Sequence, residues 1–385
     1  MKRNNVNKIL FKMKKDKNII ISAPGRICLL GEHQDYFGLP VISAAIDLRI
    51  RIRGTGNKDR IFKIEMPDIG ERDVIELYPG DFTPQKERDY LRSCLTVLAR
   101  YGYKFDQGYD CKIESTIPIG KGVSSSSAMV VAWIKFLLTV SKSQKTVTEE
   151  ELAELAYQAE VKEFNEPGGM QDHYCASLGG LLYIDSGSDG DFVKKTEVTK
   201  LDVKFKEFVL GDSLEQKDTK GVLNRIKTSV YSAVEKIREE FKAFDFRKTQ
   251  IEDIRNLLSK LPEEPRLKLE ATLMTRDLTR EVKGFFDKKG VDAVSFGRWL
   301  DKQHSVLKDG LQISTKKIEE LILAAKSAGA LGCKINGSGG GGCFLAFAPG
   351  KEKEVIEAIE QAGGRGYSVG IDSGVNEEGE NHASP

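Results

Sequence analysis

The sequence predicts an α+β protein of two domains. Three observations carry that expectation. The chain has 385 residues, 40% of them hydrophobic, which is more than one small core absorbs. Its first half interleaves short alternating apolar runs with helix signals. Its end reads strand, glycine loop, strand, helix, strand, the pattern of helices on one face of a mostly antiparallel sheet. Near residue 196 the texture shifts to long charged helical stretches, so the expected domains are 1–195 and 196–385.

The elements follow in order. "NIIISAPGRICLLGEH" (18–33) has apolar runs on either side of Pro-Gly and reads as strand, turn, then strand or helix start. "VISAAIDLRIRIRG" alternates from Ile46 to Ile52, a half-buried strand, and "YDCKIESTIPIG" alternates too. Thr148 with Glu151 forms a capping box. Leu152, Leu155, Ala156 and Ala159 supply the apolar stripe of that helix, and Glu160 falls at the stripe's edge. "GGLLYIDSGS" and "KFKEFVLGDS" read as strands. Ile318, Leu321, Ile322 and Ala325 give a later helix its buried face, with Gly329 as C-terminal cap. The last unit is "GCKI", "NGSGGGG", "CFLAFA", "KEKEVIEAIEQA" and "GYSVGI".

Composition removes several function classes. With 59 basic and 58 acidic side chains the formal charge is +1, which does not suggest nucleic acid or an anionic membrane as partner. The six cysteines are scattered without a C-x-x-C, so neither a disulfide framework nor a zinc site is expected. They read as reduced core thiols of a cytoplasmic protein. The most apolar stretch, 128–140, contains Lys135 and falls short of the ~20 residues of a spanning helix. The lysine-rich start (1–18) reads as a solvated arm and "NEEGENHASP" (376–385) as a frayed tail. A monomer or weak homo-oligomer is expected.

Two glycine loops stand out. In "GKGVSSSSAMVV" (120–131), Gly120 and Gly122 let the backbone turn tightly and approach a ligand. The apolar stretch from Ala128 then continues as a helix. Free N–H groups and the positive end of a helix dipole would converge there, which suits phosphate. A serine-rich N-cap is the alternative. The second loop, "NGSGGGG" (336–342), matches G-x-G-x-x-G at Gly337, Gly339 and Gly342. A dinucleotide fold needs a helix after that loop, and here a strand follows. No Walker A sequence and no H-R-D are present, so use of a nucleoside triphosphate would have to rest on another fold.

Four segments in order resemble the GHMP kinases, and among them most the galactokinases. "PIGKGVSSSSA" is similar to the family's phosphate loop P-x-x-x-G-L-G-S-S-A. "KINGSGGGGCFLAF" is similar to its glycine-rich C-terminal motif. "SAPGRICLLGEHQDYFG" resembles the signature A-P-G-R-x-N-L-I-G-E-H-T-D-Y-N-G. "AEVKEFNEPGGMQDHY" resembles the stretch with the catalytic aspartate, in which a helix glutamate stands twelve positions earlier, as Glu160 does before Asp172.

The resemblance implies a two-domain GHMP kinase fold, with a ribosomal-protein-S5-like N-terminal domain and a ferredoxin-like C-terminal domain. It implies ATP as co-substrate, Mg²⁺, and a small sugar as the partner. Gly120, Gly122, Val123, Ser124, Ser125, Ser126 and Ser127 would wrap the phosphates together with Gly339 and Gly340. Ser126 and Glu160 would bind Mg²⁺. Asp172 would be the base and Arg26 its cationic partner. Glu32, His33, Asp35, Gly169 and Tyr231 would face the sugar.

The expected reaction is phosphorylation of an anomeric hydroxyl, with galactose first among substrates. L-Arabinose, a uronic acid, N-acetylgalactosamine or a heptose are the alternatives, and a non-catalytic sugar and ATP sensor is another. The presence of Asp172, Arg26, Ser126 and Glu160 argues against the sensor. Four departures surround the sugar positions: Gln34 for threonine, Phe37 for asparagine, His173 for glutamine, and the unmatched "VLGDSLEQKDTKGVL". Gln34 and Phe37 are placed to crowd or reshape the pocket, which keeps the smaller L-arabinose beside galactose as a candidate.

Overall fold

The structure, a computed structural model, describes residues 18–78, 80–143, 145–189, 192–193, 196–202, 207–288 and 291–379. The basic arm 1–17 lies outside them.

The first unit is a sheet covered by helices. Strand β1 (Ile19–Leu30) pairs with β2 (Val41–Gly56), and β2 with β5 (Tyr109–Ser115). Strands β3 (Ile61–Met66) and β4 (Glu71–Glu76) extend that edge, β3 lying parallel to β5. On the other flank β6 (Leu181–Asp185) pairs with β2. A short ladder joins β7 (Ser188–Asp189) to β8 (Phe192–Val193).

Helix α1 (Tyr90–Arg100) packs on α2 (Ser125–Val140), as does α3 (Glu149–Tyr157), which opens on the predicted capping box. Helices α2 and α4 (Gln171–Leu178) lie on β1 and β2. In α2 the run from Val130 to Ile134 is wholly buried, and the Trp133 indole donates to the Leu91 carbonyl at 3.1 Å. A helix buried all round cannot shift without opening the core, so its first turn is firmly placed.

Strand β1 corrects the reading of Pro24-Gly25 as a turn. One strand runs through both residues, with a register break between Pro24 and Arg26. Gly25 serves close approach: a Cβ there would sit 2.8 Å from the Val123 carbonyl oxygen. The domain limits also need correction. Strand β9 (Glu197–Leu201) pairs with β6, so the first sheet continues past residue 195. The chain's end returns as β14 (Asn376–Glu378) beside β1, and Glu378 meets Arg51 at 3.1 Å. Residues 376–378 are thus a sheet edge, not a frayed tail.

The second unit holds β10 (Glu207–Asp212), β11 (Gly332–Ile335), β12 (Cys343–Phe347) and β13 (Arg365–Gly370). Their order, β11-β12-β10-β13, is antiparallel throughout. That is the ferredoxin-like arrangement. Helices α5 (Thr219–Glu240), α6 (Ile251–Leu258) and α7 (Glu263–Asp287) pack on one another. Helices α8 (Ala293–Ser305), α9 (Lys316–Ser327) and α10 (Glu352–Gln361) contact the sheet. All six cysteines are buried and free. No helix among the described residues is long and apolar enough to cross a membrane.

Candidate active site

A cleft of about 440 Å³ runs between the two units. One wall is the phosphate-loop segment. Ser124 adopts a left-handed backbone (φ 61°) and its side chain caps no N–H of α2, which disposes of the N-cap reading. A helix leaves its first N–H groups without intrahelical partners. Here Ser124, Ser125, Ser126 and Ser127, with Gly120 and Gly122, line the cleft.

The second glycine loop braces the first. Asn336 Nδ2 donates to the Gly122 carbonyl at 2.8 Å, and Asn336 Oδ1 accepts from the Cys28 N–H at 2.8 Å. The Cys343 N–H donates to the Lys121 carbonyl at 3.0 Å. Gly337 (φ 76°) lies so close that a Cβ would stand 2.8 Å from the Gly122 oxygen. The sequence pattern gives Asn336 no role of its own. Its only signal there is a lone amide beside a run of glycines.

Three phosphate-loop expectations need correction. Gly339 and Gly340 do not line the cleft. Gly339 packs on Ile313, and the Gly340 N–H donates to the Ile313 carbonyl at 2.7 Å. Gly337 and Ser338 face the cleft instead. Val123 is buried beneath it, where its carbonyl receives the Arg26 N–H at 3.2 Å.

Asp172 sits in the first turn of α4, and Arg26 Nε donates to its Oδ1 at 2.7 Å. Arg26 Nη1 also donates to the Gly122 carbonyl at 2.7 Å, so one guanidinium joins the acid to the phosphate loop. Burial pushes the Asp172 carboxyl up. The Arg26 charge, with Ser124 and His173, outweighs that and holds it below the usual carboxylate range. About a quarter of the Asp172 side chain remains open.

At the other end stand Glu32, His33, Asp35 and Gly169. Glu32 is ion-paired with the buried Lys334 through Oε1, while its Oε2 has no partner among the described residues. His33 Nε2 lies 3.1 Å from the Ser338 carbonyl, which can only accept. Nε2 therefore carries the proton, and Nδ1 accepts from the Tyr36 hydroxyl at 2.7 Å. Burial, then nearby lysines, lowers the His33 pKa to about 4 and keeps the ring neutral. Neither ring nitrogen can take a hydroxyl without giving up one of these bonds. The Gln171 N–H donates to Asp35 Oδ2 at 3.1 Å, and burial raises the Asp35 carboxyl. A Cβ on Gly169 would stand 2.0 Å from that same oxygen, so only glycine fits.

Tyr231 does not line the cleft. Its ring packs 5.4 Å from Phe37 and 6.2 Å from Phe246, in an aromatic cluster that draws it away. The crowding expected of Gln34 and Phe37 is not found either. Gln34 Nε2 donates to the Thr272 carbonyl of α7 at 3.0 Å, and Phe37 stacks on Phe246. Both departures serve the contact between the units. His173 is different: its Nε2 donates to Glu160 Oε2 at 2.7 Å, inside the cleft. Its buried Nδ1 has no partner among the described residues. Glu160 lies on a π-turn (Gln158–Lys162) that continues α3, and it lines the cleft.

Lys217 is a residue that sequence reasoning misses, because the segment that carries it matches no motif. It lines the cleft and donates to Ser338 Oγ at 3.0 Å.

Two touching glycine loops at a helix N-terminus, facing an arginine-held aspartate and a group of buried acids, are the arrangement expected of a small-molecule kinase. Comparison with known proteins agrees. "GHMP kinases N terminal domain" matches residues 89–180, "GHMP kinases C terminal" 288–365, and "Galactokinase galactose-binding signature" 10–54. Mevalonate kinase of Pyrococcus horikoshii is 30% identical over 357 residues, covering 90% of this chain and 94% of that protein. Galactokinase of Clostridium perfringens is 27% identical over 375 residues, covering 91% and 90%. Lactococcus lactis galactokinase complexed with galactose superposes with a TM-score of 0.80 at 20% identity, covering 97% of this chain and all of that one. Methanococcus jannaschii mevalonate kinase gives 0.70 at 20% identity, covering 93% and 99%. The chain belongs to the GHMP kinase family, and it is an ATP-dependent kinase that phosphorylates an alcohol.

Proposed function

We propose that this kinase moves the γ-phosphoryl group of ATP to the anomeric hydroxyl of galactose. One observation carries the reading. The "GEHQDY" segment, inside the galactose-binding signature, delivers Glu32, His33 and Asp35 to the cleft that holds Asp172. Asp172, kept ionised by Arg26, accepts the hydroxyl proton as the new O–P bond forms, and the bond to the leaving ADP breaks. Arg26 offsets charge gathering on the transferring group. Gly120, Gly122 and the serines Ser124–Ser127 hold the phosphates through N–H and O–H groups.

Ser126 and Glu160 would hold Mg²⁺. Both offer oxygen to the same cleft, and His173 occupies only one carboxylate oxygen of Glu160, which suits a hard cation. No cluster of three His, Cys, Asp or Glu able to hold a metal occurs among the described residues, and a nucleotide-borne Mg²⁺ needs none. When bound it neutralises phosphate oxygens. Six free buried thiols support a cytoplasmic location.

The second reading, mevalonate, is favoured by the 30% identity with mevalonate kinase. Glu32 and Asp35 weigh against it: the free Glu32 Oε2 and the Asp35 carboxyl offer buried acceptors that suit the hydroxyls of a neutral polyol better than another carboxylate. The test is kcat/KM for galactose, glucose, L-arabinose and mevalonate under identical Mg·ATP, with the product's phosphate position read by NMR. Galactose should exceed glucose, whose 4-hydroxyl points elsewhere and strands buried acceptors at about 1–3 kcal/mol each. A mevalonate value above every sugar would replace the first reading by the second.

A further inference from the structure

We propose that Lys217 grips the terminal phosphate of the nucleotide and is a catalytic residue of this kinase. The inference rests on the ATP-kinase reading and not on which alcohol is phosphorylated.

Lys217 lies between β10 and α5, and its ammonium reaches over the phosphate loop. A Cβ on Gly122 would be 2.6 Å from Nζ, and one on Gly342 would be 3.2 Å from its Cδ. The side chain therefore lies across both glycine loops where they meet. Its one hydrogen-bond partner among the described residues is the neutral Ser338 hydroxyl at 3.0 Å, and no carboxylate of those residues lies within 4.0 Å. An ammonium has three donors, so two are unspent.

The surrounding charges sharpen the point. Arg26 and Lys121 face Lys217 with like charge, while Asp172 and the Cys343 thiol are the groups that favour its charged form. Asp172 is already held by Arg26, and Lys121 turns to Asp212 and the Glu215 carbonyl. Burial, then Arg26, lowers the Lys217 pKa to about 8. A fold that crowds cations around one point is arranged for an anion. The first turn of α2 adds its N–H groups at the same cleft. A terminal phosphate would take up the two free donors and restore the ammonium.

ADP lacks that phosphate, so the binding test separates this role from general stickiness. Calorimetry with Mg²⁺ compares ADP with a non-hydrolysable ATP analogue, on wild type and Lys217→Met. Wild type should prefer the ATP analogue, and the variant should lose that preference by about 10- to 100-fold while binding ADP normally. Lys217→Arg should keep most of it. On the wild type, kcat/KM for ATP should fall above pH 8 as the free amine loses its proton, and Lys217→Arg should move that limb to higher pH. Should Lys217→Met fail to fold, that limb decides. A folded Lys217→Met with unchanged discrimination and kcat, or an alkaline limb that Lys217→Arg leaves in place, overturns the proposal. If no tested alcohol is turned over, the substrate reading fails while the binding comparison still stands.

Discussion

The two ends of the cleft are built by different means. The end at the two glycine loops is mostly backbone. Gly122, Gly337 and Gly342 allow two loops to touch, and peptide groups such as the Cys343 N–H on the Lys121 carbonyl hold them together. The other end is mostly side chains, and two of them are held from the other unit, Glu32 by Lys334 and His33 by Ser338, while Asp35 accepts from the Gln171 N–H of its own. Backbone contact tolerates few residue types and so leaves a motif. Side-chain pairing can be met in many ways, so it leaves a weaker trace in sequence.

The largest expected effect falls where the ends meet. Asp172→Asn should lower kcat by about 10²–10⁴ with ATP-analogue binding kept, because the variant loses the base but not the cradle. Single-turnover rates beside calorimetry check this, and a near-native rate would remove Asp172 from the mechanism.

The next effect probes the side-chain end alone. His33 has its folded pKa lowered to about 4, against 6.5 for an unperturbed histidine, so the unfolded chain binds the extra proton between these values. Its contribution is complete above pH 6.5 and declines as pH falls toward 4, by about 3 kcal/mol in all. Melting temperatures from pH 7 to 4 should fall less steeply for His33→Asn. An equal slope would mean that the ring is not held neutral.

His173 touches the boundary between the ends. His173→Gln should loosen Glu160 and raise the Mg²⁺ concentration for half-maximal rate by about 10-fold or more, with sugar KM little changed. Mn²⁺ binding in the analogue complex, followed by EPR, gives an independent reading. A sugar KM that moved instead would put His173 on the other side of the comparison.

Ser126→Ala should be mildest, raising the Mg·ATP KM by about threefold with an unchanged melting curve, since Ser126 stands inside α2, beyond the N-cap position that Ser124 fills without a side-chain cap. A melting loss near ~1 kcal/mol with normal kinetics would return the serine run to a capping role.

Much of the fold is legible in the sequence because local chemistry agrees with it. The capping box at Thr148 and Glu151 forms as read, and "GCKI" is β11 from end to end. The errors share one cause. Pro24-Gly25 reads as a turn, but the carbonyl that Gly25 admits belongs to Val123, 98 positions away by number. Residues 376–378 read as a tail because their partner, β1, is at the far end of the chain.

The same division holds for the site. Glycines, serines and an aspartate in order are enough to mark the kinase family, because those residue types answer to what the backbone and the proton must do in such a reaction. Whether Tyr231 reaches the cleft, which glycines face it and what holds Glu32 depend on partners distant in sequence. Lys217 is the clearest case. In "SLEQKDTKG" it is one charge among several, and only the folding of two glycine loops beneath it leaves an ammonium with donors to spare.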